Sequence, residues 1–392
     1  MPATSHRPRC GVCDCVLVKN GKTSAGRTRW RCKSCGASQV RSRSDVTRKS
    51  ELTQFLTWIL GTQSQAAMAG SARGFRKRIQ WCWRVEVPPP VPTGVVHHQL
   101  MLDGTYFNGW CVLIAYNGQH VVDWQWCDRE KKIAWQVLLE RIPAPAVAII
   151  DGGTGLRAAL KETWPESKIQ RCYFHVFQNI RRELTFQTRI PAGKELAALT
   201  RVLMKVSTQD EAIAWLREYA AWEAKWDEFL KHRTKAKTGQ ERPSSVSRNS
   251  RWWYTHQRLR RARNVYRRLI QEHCLFTWLD TDLQPDTGEK IHRTTSPLEG
   301  GPNKAIKELL RLHRGLPEEH ARTAVDWLLE SLTEHPRQPW SLVKPEHLNP
   351  AQRTKNASME SDESQAPETY SNHFSWEDGN GIQTGWAGRN QP

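Results

Sequence analysis

The fold is decided by residues 99–153, whose main segments are QLMLDGTYF (99–107), WCVLIAYNGQHVVDWQW (110–126) and AVAIIDGG (146–153). Their apolar and β-branched residues predict three strands and, after a helix, a fourth. Asn117-Gly118 predicts a hairpin between the second and third strands, because both residues tolerate positive φ. The helix is predicted over 130–141, with Ile133, Val137 and Leu138 on one apolar face. This order of elements predicts an α/β fold.

Two of the predicted strands end in a carboxylate, Asp103 after QLML and Asp151 after AVAII. Strand ends are where α/β sheets place ligand-binding groups. Mg²⁺ prefers oxygen ligands and keeps several waters, so two or three carboxylates would suffice to bind it. Asp-Gly is also common where an ordinary strand turns, and this purely structural interpretation stays open for each acid.

The charge of the chain indicates a polyanionic partner. Its 392 residues, enough for two or three domains, carry a net charge of +18. Such a charge usually means nucleic acid. The excess is uneven, and residues 241–272 contain nine Arg and only two Glu. The N-terminus lacks the apolar core of a signal peptide and no run approaches the length of a membrane span, so we expect a soluble, intracellular protein.

The ten cysteines indicate metal binding rather than disulfides in such a chain. Cys10 and Cys13 form one CxxC pair, and Cys32 and Cys35 form a second. This spacing is typical of a tetrahedral Cys₄ zinc site, with short strands of a zinc ribbon between the pairs. Cys15 could replace Cys13, although the symmetry of the two pairs favours Cys13. The ribbon is basic, which suits phosphate contacts, but zinc ribbons also bind proteins.

Residues 46–85 predict a small helical domain. One helix is predicted over 51–60, and TQSQAAMAGSARGFRKRIQWCW (62–83) then predicts a short helix, a turn and a second helix. This is the form of a helix-turn-helix, whose second helix enters the major groove of DNA. The basic residues of that helix are Arg73, Arg76, Lys77 and Arg78. A packing bundle with a solvated basic face is the alternative.

The segment after Asp151 predicts a helix, a fifth strand over 168–173 and a further helix. Cys172 and His175 lie at this junction with C-x₂-H spacing. No partner pair for a metal is visible nearby, so the two residues alone predict a role in positioning the junction.

Residues 192–280 then predict a helical region. Its last helix, over 249–279, is strongly basic. Its arginines, among them Arg260, Arg261 and Arg267, are expected to bind the DNA backbone; a merely solvated face is the alternative.

The segment SPLEGGPNKAIKELLRLHRGL (296–316) leaves two helix starts open. Residues 296–299 fit a capping box with proline at the first helical position, which would give Glu299 a purely structural role. Gly-Gly-Pro after Glu299 would instead start the helix at Pro302. In either case Lys304, Lys307 and Arg311 share one face. A final helix is predicted over 317–334, and the polar chain from about residue 345 is expected to be disordered.

These motifs together resemble the Mutator-like class of bacterial insertion-sequence transposases, over roughly residues 7–335. The matching pieces are the zinc ribbon, the helix-turn-helix and the segments LDGTYF (102–107), IIDGGTGL (149–156), RCYFHVFQNI (171–180) and RTTSPLEGGPNKAIKE (293–308). The resemblance implies a ribonuclease-H-like catalytic domain with an all-helical insertion. It also implies a DDE triad of Asp103, Asp151 and Glu299, and it makes Cys172 and His175 active-site neighbours.

The resemblance further implies the chemistry. The triad would hold two Mg²⁺ or Mn²⁺ ions roughly 3.5–4 Å apart, with Asp103 contacting both. DNA would be cleaved at the terminal inverted repeats of the element and joined to target DNA. One structural Zn²⁺ would occupy the ribbon. The protein would act as a dimer or larger assembly in the bacterial cytoplasm, associated with the nucleoid, without a nucleotide cofactor or a membrane.

The predicted domains follow from these assignments. They are a zinc ribbon (1–44), a helix-turn-helix domain (45–86), a proline-rich linker (87–95), a catalytic core in two parts (96–190 and 291–340), a helical insertion (191–290) and a disordered tail (341–392). Two other functions stay open. One is a sequence-specific DNA-binding protein or repressor with an inactive nuclease domain, and the other is a nuclease of the same fold that cuts without joining.

Overall fold

The computed structural model describes residues 7–348 except residues 25, 41–43, 108, 237–241, 244–245, 248, 285–287 and 289. Nearly all of the tail predicted to be disordered therefore lies outside the described residues. Two units are distinguished: one contains residues up to Pro89 and the described residues from Lys304 on, and the other contains Pro90–Asn303. No described helix combines the length and the apolar character needed to cross a membrane.

The first unit begins with a small antiparallel sheet. Its strands, in sheet order, are β1 (Val18–Lys22), β2 (Thr28–Arg31) and β3 (Ser38–Val40). Two strands were predicted between the cysteine pairs, and they are present; β3 follows the second pair and was not predicted. The core of this sheet consists of little more than Leu17, Cys10 and Cys32. A core of this size supplies too little hydrophobic stabilisation by itself, so a further cross-link is needed.

Two helices follow, α1 (Ser44–Ile59) and α2 (Ala72–Ile79). Ser71 fixes the start of α2, since its side chain accepts a hydrogen bond from the Gly74 N–H at 3.1 Å. Trp58 on α1 and Phe75 on α2 are buried against each other in an edge-to-face contact. The short helix predicted before the turn is a single 3₁₀ turn, Gln65–Ala67. The helix-turn-helix assignment stays a prediction.

The second unit is organised around a mixed sheet of five strands. They are β4 (Gln99–Phe107), β5 (Trp110–Tyr116), β6 (Val121–Cys127), β7 (Val147–Ile150) and β8 (Lys168–Arg171), in the order β6-β5-β4-β7-β8. β4, β5 and β6 are antiparallel neighbours, whereas β7 and β8 run parallel to β4. All of β5 is buried, which explains its unbroken apolar run. The predicted five strands and the α/β class are confirmed.

β4 continues past Asp103, where it was predicted to end, and runs to Phe107. Its parallel pairing with β7 stops at Leu102, opposite Ile150, but its antiparallel pairing with β5 continues to the end of the strand. The apolar run therefore ends where β4 is no longer flanked by both β7 and β5, and not where the strand itself ends. Asp103 lies just beyond the point at which β7 ends.

The hairpin between β5 and β6 is confirmed, but its turn is longer than Asn117-Gly118 predicted. The loop contains residues 117–120. Gly118 has a φ of 103°, whereas Asn117 does not have a positive φ. Asn117 contributes through its side chain, which accepts hydrogen bonds from the N–H groups of Gln119 and His120 at 2.9 and 2.7 Å.

One face of the sheet is covered by α3 (Lys132–Leu139) and α4 (Thr154–Thr163). α3 begins two residues later than predicted, and its buried face was only partly predicted. Leu138 is buried as expected, but Ile133 and Val137 are 65% and 41% exposed, and Trp135 is buried instead. Apolar residues occur all around this helix, so their periodicity did not determine which face packs on the sheet.

The helical region contains α5 (Tyr173–Leu184), α6 (Pro191–Leu203), α7 (Gln209–Lys231) and α8 (Gln257–Gln271), with a two-stranded sheet of β9 (Arg233–Lys235) and β10 (Trp252–Tyr254). Trp215, Tyr219 and Tyr266 form an aromatic core between these helices. The helix predicted over 249–279 is wrong at both ends. Trp252–Tyr254 is a strand, as its aromatic composition favours, and the helix is only α8.

The last helices are α9 (Ser296–Gly300), α10 (Pro302–Leu312), α11 (Glu318–Ser331) and α12 (Pro345–Leu348). Both predicted starts in the SPLEGGP segment are therefore used, one by α9 and one by α10. The capping box over 296–299 is wrong. The N-cap residue of α9 is Thr295, and no side-chain capping hydrogen bond is formed there.

Candidate active site

Three acids from distant parts of the chain lie near one edge of the five-stranded sheet, close enough for the charges of Asp151 and Glu299 to act on Asp103. Asp103 lies on β4, Asp151 directly follows β7, and Glu299 belongs to α9. The first two are neighbours because the residues before them, Leu102 and Ile150, are paired in the parallel ladder. All three acids lie within the second unit.

The carboxylates of this site perturb one another. Burial raises the pKa of Asp103 well above its usual range, and the negative charges of Asp151, Glu130 and Glu299 raise it further. Like charges held together in this way disfavour ionisation. A divalent cation between them would relieve the repulsion.

Each of these three acids is held through only one of its two oxygens. The three hydrogen bonds run from Asn303 Nδ2 to Asp103 Oδ2 at 2.8 Å, from the Gly153 N–H to Asp151 Oδ1 at 2.8 Å, and from Thr295 Oγ1 to Glu299 Oε1 at 2.6 Å. No described residue donates a hydrogen bond to the other oxygen of any of the three. Each carboxylate is thus oriented by the protein while keeping one oxygen free for a ligand.

Cys172 and His175 lie beside Glu299, at the junction of β8 and α5. The Thr295 backbone N–H donates to Cys172 Sγ at 3.3 Å, and the oxygen of the Thr295 hydroxyl lies 3.3 Å from the same sulfur. His175 Nδ1 is 3.8 Å from Glu299 Oε1. Candidate ligand atoms of Cys172, His175 and Glu299 lie within 4.8 Å of one another. The sequence showed no partner for the Cys-His pair because Glu299 is distant along the chain.

The pKa values of Cys172 and His175 move in opposite directions. Burial alone would lower the pKa of His175, but the neighbouring Cys172 and the charges of Asp151 and Asp103 raise it to about 9. Burial alone would raise the pKa of Cys172, but the neighbouring His175 and the contacts with Thr295 lower it. Each of the two groups therefore stabilises the charged form of the other.

A fourth acid, Glu130, lies at the same edge and was missed in the sequence. A Cβ built on Gly104 would be 2.5 Å from Glu130 Oε1, so the glycine after Asp103 makes room for this carboxyl group. The Glu130 N–H donates to Tyr106 Oη at 3.2 Å. Burial and the charge of Asp151 raise the pKa of Glu130 to about 8. The signal in the sequence was Gly104, because a glycine directly after Asp103 leaves space for a side chain from elsewhere in the chain.

Two further polar residues of the site were also missed. Asn303 is 2% exposed, and its Oδ1 has no partner within the part of the chain that the structure describes. Arg171, at the end of β8, is 7% exposed, and its Nε likewise lacks a partner there. Both residues lie in segments that carried the family resemblance, but neither had a predicted role.

The four cysteines of the two CxxC pairs come together in the first unit. Their sulfur atoms all lie within 4.8 Å of one another, with Cys10–Cys35 at 3.5 Å and Cys13–Cys32 at 3.3 Å. The Val12 N–H donates to Cys10 Sγ, and the Cys35 N–H donates to Cys32 Sγ. Cys15 is exposed and outside this cluster. The arrangement suits a tetrahedral ion about 2.3 Å from each sulfur.

The basic residues predicted to bind DNA differ in their exposure and in their contacts with the rest of the protein. In the first unit Arg73, Arg76 and Lys77 are exposed on α2, whereas Arg78 donates to the Ala69 carbonyl at 2.5 Å. Three further residues are exposed on α10, namely Lys304, Lys307 and Arg311.

The arginine face of α8 is partly engaged by the protein itself. Arg260 stacks over Tyr254 at 3.5 Å, and Arg267 pairs with Glu223 at 2.9 Å. Arg261 is partly buried. The part of this face without partners in the protein is therefore narrower than the number of arginines suggested.

The comparisons with known proteins agree with this geometry. Residues 100–179, which include Asp103, Asp151, Cys172 and His175, match the MULE transposase domain. The transposase for insertion sequence element IST2 of Acidithiobacillus ferrooxidans is 35% identical over 102 residues. The transposase for insertion sequence element IS1201 of Lactobacillus helveticus is 26% identical over 125 residues, and a probable insertion-sequence transposase of Corynebacterium diphtheriae is 29% identical over 97 residues.

The resemblance to Mutator-like insertion-sequence transposases is confirmed. The matches cover 24%, 30% and 21% of this chain. They span about a third or less of the relatives, at 33%, 32% and 27% of their lengths. The matched domain contains Asp103 and Asp151, and Glu299 lies beyond its last matched residue.

Proposed function

We propose that this chain is a DDE transposase that cleaves DNA at the ends of an insertion sequence and joins those ends to target DNA. Asp103, Asp151 and Glu299 are its catalytic residues. The observation that carries the proposal is that these three carboxylates lie near one another at one edge of the sheet, each oriented through one oxygen and without a hydrogen bond from a described residue at the other. The sheet order, with the helices α6 to α8 between Asp151 and Glu299, supports a ribonuclease-H-like core with a helical insertion.

The residues of this site fit divalent cations. The free carboxylate oxygens are hard ligands, and the mutual repulsion that raises the pKa of Asp103 is the kind that Mg²⁺ or Mn²⁺ neutralises. The unpartnered Oδ1 of Asn303 adds a further oxygen next to Asp103. When bound, such ions activate the attacking hydroxyl and stabilise the leaving oxygen.

The surrounding side chains position the acids. Asn303 fixes Asp103 from the start of α10, and the Gly153 N–H fixes Asp151 from the start of α4. Thr295 fixes Glu299 and, through the same hydroxyl, contacts Cys172, so α9 is held against the start of α5. Preorganised ligands of this kind avoid reorganisation when the substrate reacts.

The first unit supports the DNA-binding side of the proposal. Its Cys₄ cluster fits one structural Zn²⁺, whose binding would supply the stability that the small three-stranded sheet lacks. The exposed basic residues of α2 and α10 would contact DNA phosphates, and any sequence reading would come from α2.

The test is a cleavage and joining assay with the full chain, labelled element ends and Mg²⁺ or Mn²⁺. Glu299→Gln, Asp103→Asn and Asp151→Asn should each lose nearly all cleavage and joining but bind the ends normally, because each change removes one negative charge and keeps the shape. Combining these substitutions should reduce cleavage and joining little further, since the acids act as a unit. The exposed Glu162→Gln, which lies on α4, is the control and should stay active.

Two outcomes would favour the other functions. Specific binding without any cleavage by the wild-type protein would favour a repressor. Cleavage without joining of pre-nicked ends would favour a nuclease. Wild-type cleavage by Glu299→Gln would remove this residue from the triad.

A further inference from the structure

The loop from β7 to α4 opens onto the same edge as the three acids. It reads Asp151-Gly152-Gly153, and α4, which has ten residues, begins at Thr154. The N-cap residue is Gly153, and no side chain caps the helix. The N–H groups of a first helical turn lack partners within the helix and carry partial positive charge, so they attract anions.

Arg171 is the second, independent observation. A Cβ built on Gly152 would lie 1.2 Å from Arg171 Nη1 and 1.7 Å from Cζ, so the guanidinium rests against the residue before the N-cap. Arg171 is only 7% exposed and its Nε is unpartnered. No described residue forms a hydrogen bond or an ion pair with its guanidinium. Nearby Arg157, by contrast, pairs with Glu272 at 2.5 Å.

A buried cation without an anion is costly. Guanidinium stays protonated in proteins, so it cannot avoid the cost by losing its proton. Burying an unpaired charge costs several kcal/mol unless a partner or hydrogen bonds compensate. The charge of Asp151 offsets part of this cost, but no described residue accepts a hydrogen bond from the five donors of the side chain. The geometry therefore calls for an anionic ligand that accepts hydrogen bonds.

We propose that Arg171 and the N-terminal turn of α4 bind a phosphate group, supplied by a DNA phosphodiester next to the scissile one. The forked guanidinium contacts two phosphate oxygens, and the N–H groups of the turn contact the same group from the helix side. Asp151 is adjacent in sequence to Gly152, so a phosphate held here aligns the strand with the acids. The inference rests on the proposed function only in naming DNA as the source of the phosphate.

The first arm of the test measures DNA binding by the zinc-loaded full chain in Mg²⁺-free buffer over a series of NaCl concentrations. Arg171→Gln should weaken binding about tenfold, as expected for the loss of a charged hydrogen bond. It should also make the slope of log K against log salt shallower by about 0.9, the value for one phosphate contact. The affinity of Arg171→Lys for DNA should lie between those of the wild type and Arg171→Gln. Arg157→Gln is the matched control, because Arg157 is already paired, and its slope should equal that of the wild type.

The second arm uses inorganic phosphate as the probe and wild-type protein labelled with ¹⁵N-glycine. The amide resonances of Gly152, Gly153 and Gly155 should shift with phosphate and reach saturation, but not with chloride at equal ionic strength. This arm needs no variant, so it tests phosphate binding at this site even if Arg171→Gln fails to fold. Where the variant folds, it should lose the response.

Each outcome decides the question. Glycine amides that ignore phosphate would overturn the site and leave Arg171 as a counter-charge for Asp151. A phosphate response with an unchanged salt slope in Arg171→Gln would overturn the assignment to DNA and leave a site for free phosphate. Neither arm depends on cleavage, so the failure of the triad assay would be seen separately.

Discussion

The guanidinium of Arg171 lies against Gly152 and fills the space that a side chain at residue 152 would need. The sheet register explains this contact. Ile150 at the end of β7 is paired with Arg171 at the end of β8, so the loop that begins at Asp151 passes beside the arginine. Gly152 also has a φ of 102°, a conformation that side-chain-bearing residues rarely adopt.

The first prediction is that Gly152→Ala strongly lowers the free energy of unfolding. The strained φ should cost about 1 kcal/mol and displacement of the buried guanidinium about 2 kcal/mol more. Gly118→Ala is the matched control, because Gly118 has a φ of 103° and its nearest atom is 3.4 Å away. Urea unfolding of the two variants checks the difference. Equal losses would show that Arg171 moves away at no cost.

The second prediction concerns the four cysteines of the first unit. The purified chain should contain about one zinc ion, and Cys32→Ser should lose it, because a serine hydroxyl is a poor replacement for a thiolate ligand. The β1 to β3 sheet should unfold with the loss, since zinc binding supplies most of its folding free energy. Elemental analysis measures the metal, and limited proteolysis measures the unfolding.

Cys15→Ser is the control for that experiment. Cys15 is exposed and lies outside the cluster, so this variant should retain the full zinc content. Metal loss from Cys15→Ser with full retention by Cys32→Ser would contradict the ligand assignment.

The sequence predicted the sheet and two of its acids for a physical reason. The strands that carry Asp103 and Asp151 are buried by neighbours, so their apolar runs are long and end visibly. Glu299 was different, because its local sequence equally fitted a helix cap. Only the family resemblance favoured the catalytic role. In the structure its carboxylate contacts Thr295 and no capping box forms.

Glu130, Asn303 and Arg171 could not be predicted in the same way. Their roles arise from contacts with residues far along the chain, such as Asn303 with Asp103, and no local pattern encodes such contacts. The prediction of where α8 begins was wrong for a related reason. Trp252–Tyr254 was assigned to a helix because the strand that pairs with it, β9, lies across a polar loop. Pairing partners across a loop are not visible in periodicity.

The third prediction tests Thr295 as a positioning residue for Glu299. Thr295→Val keeps the shape but removes the hydroxyl that donates to Glu299 at 2.6 Å. Cleavage should fall about 10- to 100-fold, the usual cost of losing a residue that orients a metal ligand, while binding of DNA ends is unchanged. Thr295→Ser should restore cleavage, because the hydroxyl is kept. Single-turnover cleavage and gel-shift measurements distinguish the two effects.

The adjacent Thr294→Val is the control for this series. Among the described residues Thr294 forms no hydrogen bond with Glu299, and its hydroxyl accepts one from the Ser296 N–H at 3.4 Å. Its cleavage rate should match that of the wild type. If Thr295→Val is as fast as Thr294→Val, the hydroxyl has no role in orienting the acid.

The fourth prediction concerns the stability of the acid-rich edge as a function of pH, and it depends on Glu130. The pKa of Glu130 is about 8 in the folded chain, against an ordinary value of 4.5. Between these two pH values the folded chain binds a proton that the unfolded chain has lost, so folding becomes less favourable as the pH rises. The stability contributed by the protonated group is complete below about pH 4.5 and is lost as the pH passes through about 8.

Glu130→Gln removes this titration, because an amide stays neutral. In zinc-loaded protein free of Mg²⁺ and Mn²⁺, the variant should therefore become progressively more stable than the wild type from pH 5 to pH 8.5. Urea unfolding at pH 5, 7 and 8.5 measures the difference between the two proteins. Asp128→Asn, an exposed neighbour paired with Lys131, is the control and should show little change over this range. A difference between Glu130→Gln and the wild type that stays constant with pH would show that Glu130 is ionised throughout. The acids at this edge would then be screened from one another even without a bound cation.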